Sequence, residues 1–143
     1  DYCGAGLQPV LDNLKRVAES RVHLEVINLV VPGQNDSREE LEEVSRFVAG
    51  LRNGNVPLHF SRFYPLHEAS GFAVTPAKKI LEAKRIAREQ GVKFAYAGNL
   101  GGEEGTACPE CGAECVKRSG FGARSLLEKG KCPECGFRLP IVV

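Results

Sequence analysis

The stretch VHLEVINLVVPGQNDSREELEEVSRFVAGLRNGNVPLHFSRFYP, residues 22–65, decides the fold. Its opening, Val22 to Val31, is dense in β-branched residues and stops at Pro32-Gly33, as a strand followed by a turn would. Few polar residues interrupt the run, so both faces of this strand are expected to be covered. Ser37 with Glu40 three residues later is a capping-box pair, after which Leu41, Val44, Phe47, Val48 and Leu51 recur with helical period up to Gly54. Val56 to Phe63 then reads as a second strand, in which Leu58 and Phe60 alternate with His59 and Ser61 before Pro65 ends it.

The pattern continues on both sides. Leu7, Val10, Leu11, Leu14 and Val17 repeat at helical spacing, with Pro9 tolerable in a first turn. Thr75-Pro76 reads as an N-cap followed by proline at the first helical position, and Ile80, Leu81, Ala83, Ile86 and Ala87 carry an apolar stripe until Gly91. Val92 to Ala97 gives a third strand. Strands alternating with helices are the mark of parallel βαβ units, so the fold class expected is α/β, a partial parallel (β/α) barrel fragment or open sheet over residues 1–100. Three such strands leave two unpaired edges, through which copies could associate. After Gly101-Gly102 helical periodicity disappears and glycines and cysteines multiply, which places a boundary between residues 98 and 105.

The 143 residues are 43% apolar and 26% charged, the balance of a folded soluble chain rather than a disordered one. A net charge of +1 gives no global field to gather nucleic acid or an anionic membrane, and no apolar run approaches the ~20 residues needed to span a bilayer. The opening Asp1-Tyr2-Cys3 has neither a secretory pattern nor an initiator Met. The expectation is a cytoplasmic chain forming the carboxyl-terminal portion of a larger enzyme.

Five of the six cysteines fall between positions 108 and 135. Cys108-Pro109-Glu110-Cys111-Gly112 and Cys132-Pro133-Glu134-Cys135-Gly136 are near-duplicate knuckles. Two thiolates on one tight turn reach one ion, and two such turns complete a tetrahedral four-sulfur site, so residues 101–143 are expected to form a small zinc-ribbon domain with four cysteine ligands. Four protein ligands leave no open position for water, which makes the metal structural. Iron in a rubredoxin-like site uses the same ligands, so spacing alone leaves zinc and iron both open, whereas disulfides suit a cytoplasmic chain poorly. Cys115, beyond Cys111 with three residues between them, breaks the duplicate pattern and reads as a spectator. Six acids and six bases cancel between Gly101 and Val143, which argues against a phosphate-tracking ribbon, although Lys117-Arg118 with Phe121 and Arg124 could form a small patch.

Several stretches together resemble a known family. Leu24-Glu25-Val26 leading into Leu29-Val30-Val31-Pro32-Gly33-Gln34-Asn35-Asp36-Ser37, His59-Phe60-Ser61-Arg62-Phe63-Tyr64-Pro65, Tyr96-Ala97-Gly98-Asn99 and the paired knuckles resemble the carboxyl-terminal half of radical S-adenosylmethionine (SAM) proteins. The nearest likeness is to the radical SAM enzymes of the AmmeMemoRadiSam system, relatives of pyruvate formate-lyase activating enzyme. The opening Cys3-Gly4-Ala5 with Leu7-Gln8-Pro9-Val10-Leu11 is similar as well. The resemblance implies a partial (β/α)6 barrel, and a [4Fe-4S] cluster held by a C-x3-C-x2-C triad that cleaves SAM reductively to a 5'-deoxyadenosyl radical. No such triad occurs in these 143 residues, so the chain alone is not expected to generate the radical. It further implies that Glu25, Ile27 and Leu29 line the SAM pocket and that Tyr64 and His67 approach the adenine.

Beside those assignments stands a plainer one, in which Ile27 and Leu29 are ordinary barrel core. Arg62, near the carboxyl end of a parallel strand where α/β sites gather their chemistry, either meets an anion such as the SAM carboxylate or pairs with a neighbouring Glu. His59 shares that strand end, His23 reads as an edge histidine, and Asn35-Asp36-Ser37 as a strand stop and helix cap. Three function classes follow: a piece of a radical SAM oxidoreductase acting on a protein glycyl site or another substrate, a zinc-ribbon module binding protein or nucleic acid without catalysis, and a C-x-x-C dithiol redox protein. The last requires a free cysteine pair, whereas four matched thiols favour a metal.

Overall fold

The computed structural model describes residues 4–101, 104–119 and 122–141. Cys3 and Phe121, both singled out above, lie outside them. The chain runs α1 (Leu7–Ala18), β1 (Val26–Val30), α2 (Arg38–Gly50), β2 (Leu58–Arg62), α3 (Ala77–Glu89), β3 (Ala95–Gly98), β4 (Thr106–Ala107), β5 (Glu114–Ser119) and β6 (Gly122–Ser125). Strands β1, β2 and β3 form a parallel sheet in that order, with Val26, Leu58 and Ala95 in one row of the register. Strands β4, β5 and β6 form a separate antiparallel sheet. The first sheet is open, and among the described residues no closed barrel exists.

Alternation along each strand decides which side chains reach the core. Val30, Leu58 and Phe60 are fully buried against Leu41 and Val48 of α2 and Ile80, Ala83, Ile86 and Ala87 of α3. Leu81 is off that stripe and 55% exposed. The intervening residues Ile27, Leu29, His59, Ser61 and Tyr96 point to the other face, which among the described residues has no helix over it: Ile27 is 71% and Leu29 47% exposed. The expectation of two covered faces therefore holds for one, because α2 and α3 pack side by side on the same layer. At the start of the chain α1 buries none of its residues fully, and Leu7 and Val10 of its apolar stripe face solvent.

Three local features depart from the sequence reading. The first strand begins at Val26, not Val22, because its ladder starts where Val26 N–H donates to the Pro57 carbonyl at 2.9 Å, and Pro57 has no N–H to return. Thr75 does not cap α3; Pro76 holds that position without a side-chain cap. The buried Thr75 hydroxyl donates to the Val30 carbonyl at 2.6 Å and accepts from the Phe63 N–H at 3.1 Å, tying the carboxyl ends of β1 and β2. The second helix ends at Gly50, after which Arg52 (φ 46°) and Asn53 (φ 54°) turn left-handed. That turn aims Arg52 at α1, where its guanidinium donates to the carbonyls of Val17, Ala18, Ser20 and Val22. Gly54 completes it at φ 76°, so close to the next element that an added Cβ would lie 2.3 Å from the Gly91 carbonyl oxygen. The Ser37–Glu40 capping box forms as read.

Candidate metal centre and the open sheet face

The two knuckles are built alike. Cys108 N–H donates to the Ala113 carbonyl and Gly112 N–H to the Cys108 carbonyl; Cys132 repeats this with Phe137 and Gly136. Gly112 and Gly136 sit at φ 77° and 74°, the left-handed step that lets each turn close. The Sγ atoms of Cys108, Cys111, Cys132 and Cys135 all lie within 4.8 Å of one another, with Cys108–Cys135 and Cys111–Cys132 both at 3.6 Å. A tetrahedral ion with metal–sulfur bonds of about 2.3 Å separates its sulfurs by about 3.8 Å, so the four cysteines could hold one metal ion.

Backbone N–H groups of Cys135 and Glu134 bring Cys132 down to about 6. Cys135 is pushed up to about 12: the Phe137 N–H favours its thiolate, but lost hydration and the neighbouring thiols outweigh it. The Cys132 thiolate forms readily while Cys111 and Cys135 resist, and a bound divalent ion would remove that repulsion. Cys115 is different: burial first, then Cys132, pushes it up to about 12, and it faces the Ala113 carbonyl from outside the four-sulfur group.

This cysteine cluster is joined to the parallel sheet. Phe94, which leads into β3, is 4% exposed and packs into one cluster with Cys108, Cys115, Cys132 and Leu139. Tyr96 Oη lies 2.8 Å from Thr106 Oγ1, which also accepts from Arg118 Nη1 at 2.7 Å, and the Arg118 guanidinium lies over the Tyr96 ring at 5.3 Å. Glu104 pairs with Lys84 of α3 and accepts from the Ala97 N–H on the outer edge of β3.

The open face carries a second polar group of residues. Glu25 Oε1 lies 2.9 Å from His23 Nε2 and its Oε2 lies 3.0 Å from His59 Nε2. The His23 contact is a hydrogen bond, while the buried His59 nitrogen approaches off the line of its N–H and finds no aligned partner. The His23 bond first, with His59 behind it, holds the Glu25 carboxyl below the ordinary 4.5. On the other side His59 stacks on Tyr96, ring centroids 4.9 Å apart.

At the carboxyl end Arg62 is not paired with a neighbouring Glu. Its Nε donates to the Thr75 carbonyl at 2.5 Å and its Nη1 to Tyr64 Oη at 3.1 Å, with no carboxylate partner among the described residues. Tyr64 Oη in turn reaches the Asn99 carbonyl at 3.3 Å. Thus Arg62 and Tyr64 come together, Glu25, Ile27 and Leu29 share the open face, and His67 stands apart, exposed at φ 52°. Asn35 and Asp36 serve the local turn, bonding the backbone of Leu29, Val31 and Gly33. The Glu25–His59 contact and the Tyr96–Thr106–Arg118 junction were not foreseen. The two-residue step from His23 to Glu25 signals only the His23 contact, and nothing in sequence brings Glu25 to His59 or Arg118 to Tyr96.

No family model matches the chain. Over 146 aligned residues it is 37% identical to an uncharacterized protein of Methanocaldococcus jannaschii. The alignment covers 99% of this chain and 44% of that protein, so the chain spans less than half the length of its relative. No helix among the described residues is long and apolar enough to cross a membrane.

Proposed function

We propose that these residues form the carboxyl-terminal part of a radical SAM oxidoreductase of the activating-enzyme type, in which a Zn(II)-bound ribbon braces the last strands of a partial barrel. The observation that carries this reading is the asymmetry of the parallel sheet among the described residues: strands in the order β1-β2-β3, helices on one face only, and Glu25, Ile27, Leu29, His59 and Tyr96 facing outward on the other. A barrel places helices outside and such residues inside, which gives the 71% exposure of Ile27 a reason. The relative's greater length is compatible with further strands.

On this reading Ile27 and Leu29 would offer apolar contact to SAM, and Arg62, already held by Thr75 and Tyr64, would set Tyr64 at the rim where strand ends gather ligands. Bound SAM with a reduced [4Fe-4S] cluster supplies the radical chemistry, and this chain lacks the cluster ligands. Zinc is assigned because it accepts four thiolates in a closed site without redox chemistry. Two measurements test the reading. Elemental analysis of the chain should return about one zinc and no iron; iron would withdraw the structural assignment. The longer parent protein, reconstituted anaerobically, should bind iron and release 5'-deoxyadenosine from SAM, and failure to do either would refute the enzymatic half.

A further inference from the structure

Between the ribbon and the amino ends of β1 and β2 lies a cavity of about 590 Å3, at the opposite end of the sheet from Arg62 and Tyr64. Pro57, Phe94 and Ile141 give it apolar walls, and Glu25, His59 and Arg118 give it polar ones. Its hydrogen-bonding groups are unbalanced. Glu25 Oε1 is hydrogen-bonded by His23, while its Oε2 lies 3.0 Å from His59 Nε2 without an aligned bond. Arg118 has five N–H donors and among the described residues spends one of them, on Thr106, while its guanidinium lies over the Tyr96 ring. The buried Nε2 of His59 has no aligned partner. A guanidinium with donors to spare calls for a ligand that brings acceptors, and its planar fork suits two oxygens at once.

We propose that this cavity binds a small organic oxyanion, a carboxylate or phosphate with an apolar body, anchored by Arg118 with His59 as second donor and packed against Pro57, Phe94 and Ile141. The volume falls in the range of small-molecule sites, about 300–1,000 Å3, and exceeds what an inorganic ion fills. The two halves of the site come from different sheets, Arg118 from β5 and His59 from β2, so the ribbon completes it. The inference does not depend on the radical SAM reading.

The test uses the full metal-bound chain with three probes of similar size: benzoate, phenyl phosphate and benzyl alcohol, followed by NMR shifts of His59 and Tyr96. One of the anions should saturate at about 10 mM or below, and the neutral probe should bind at least about tenfold more weakly. Whichever anion wins identifies the headgroup. Arg118→Gln should weaken that anion by about tenfold or more with zinc content unchanged. His59→Phe, which keeps a ring to stack on Tyr96, should weaken it by a smaller factor. No saturation by either anion, equal binding of benzyl alcohol, or full affinity in both variants would overturn the proposal.

Discussion

Replacing Cys132 with serine removes one of four ligands and asks how far the sheet leans on the metal centre. Serine is close in size but a poor partner for a soft-ligand site, so on the proposed metal reading the ribbon should lose its ion and, with so small a core of its own, its fold. The parallel sheet keeps Val30, Leu58, Phe60 and the two helices, and should survive. It does not survive unchanged, because Phe94 loses its covering. Full burial of such a side chain contributes about 1.5–3 kcal/mol, and the Tyr96–Thr106 hydrogen bond about 1 kcal/mol more. A loss of about 3 kcal/mol in a unit of this size lowers its Tm by roughly 10–20 °C. Far-ultraviolet circular dichroism follows the helical transition, amide exchange reports α2 and α3, and elemental analysis confirms the loss of metal. A helical transition at its original temperature would show that Phe94 contributes nothing across the junction. Complete unfolding at 25 °C would show that the ribbon cannot be lost separately.

Thr75→Val keeps the shape of a fully buried residue and deletes the hydroxyl shared by Val30 and Phe63; it should cost about 1–3 kcal/mol in urea unfolding, and Thr75→Ser should recover most of it. Gly54→Ala places a Cβ on the Gly91 carbonyl at a left-handed φ, so a loss of more than about 2 kcal/mol is expected, and an unchanged midpoint would contradict the close approach. Glu25 has its pKa lowered in the folded state, so its stabilising contribution is present above 4.5 and disappears as pH falls through the depressed value. Its side chain is 47% exposed, which limits the effect to less than about 1 kcal/mol. The stability difference between the native protein and Glu25→Gln should therefore close as pH drops below 4.5, and a difference that widened would reverse the assignment.

The parts of this fold legible in sequence were those governed by local periodicity. The capping box at Ser37, the helical repeats of α2 and α3 and the twin knuckles each depend on neighbours a few residues apart, and all were found, with α2 ending at Gly50 and α3 starting after Pro76. What escaped was set by tertiary contact. Val22 to Val31 is apolar enough for two covered faces, yet only the layer of α2 and α3 decides that Val30 is buried and Ile27 is not. Thr75-Pro76 has the residues of a helix start, but an unsatisfied Val30 carbonyl competes for the same hydroxyl and wins it. Arg62 and Arg118 found partners 13 and 12 residues away, Thr75 and Thr106, through turns that composition does not specify.

The join between ribbon and sheet follows from the weakness of each part. A short antiparallel sheet of three strands encloses too little apolar surface to stand alone, and a metal ion supplies the missing stability only if the four thiolates are held together. A parallel sheet of three strands has the opposite difficulty, a sound core on one face but an unpaired edge at β3. Lending Phe94 to the ribbon addresses the first, and bringing Glu104 to the Ala97 N–H addresses the second. The same docking sets Arg118 on Tyr96 and encloses the cavity beside His59. Metal binding at the four cysteines and ligand binding at Arg118 should then be linked: an anion held by both sheets raises the stability of the docked ribbon, and stripping the metal should abolish anion binding even though no cysteine touches the anion.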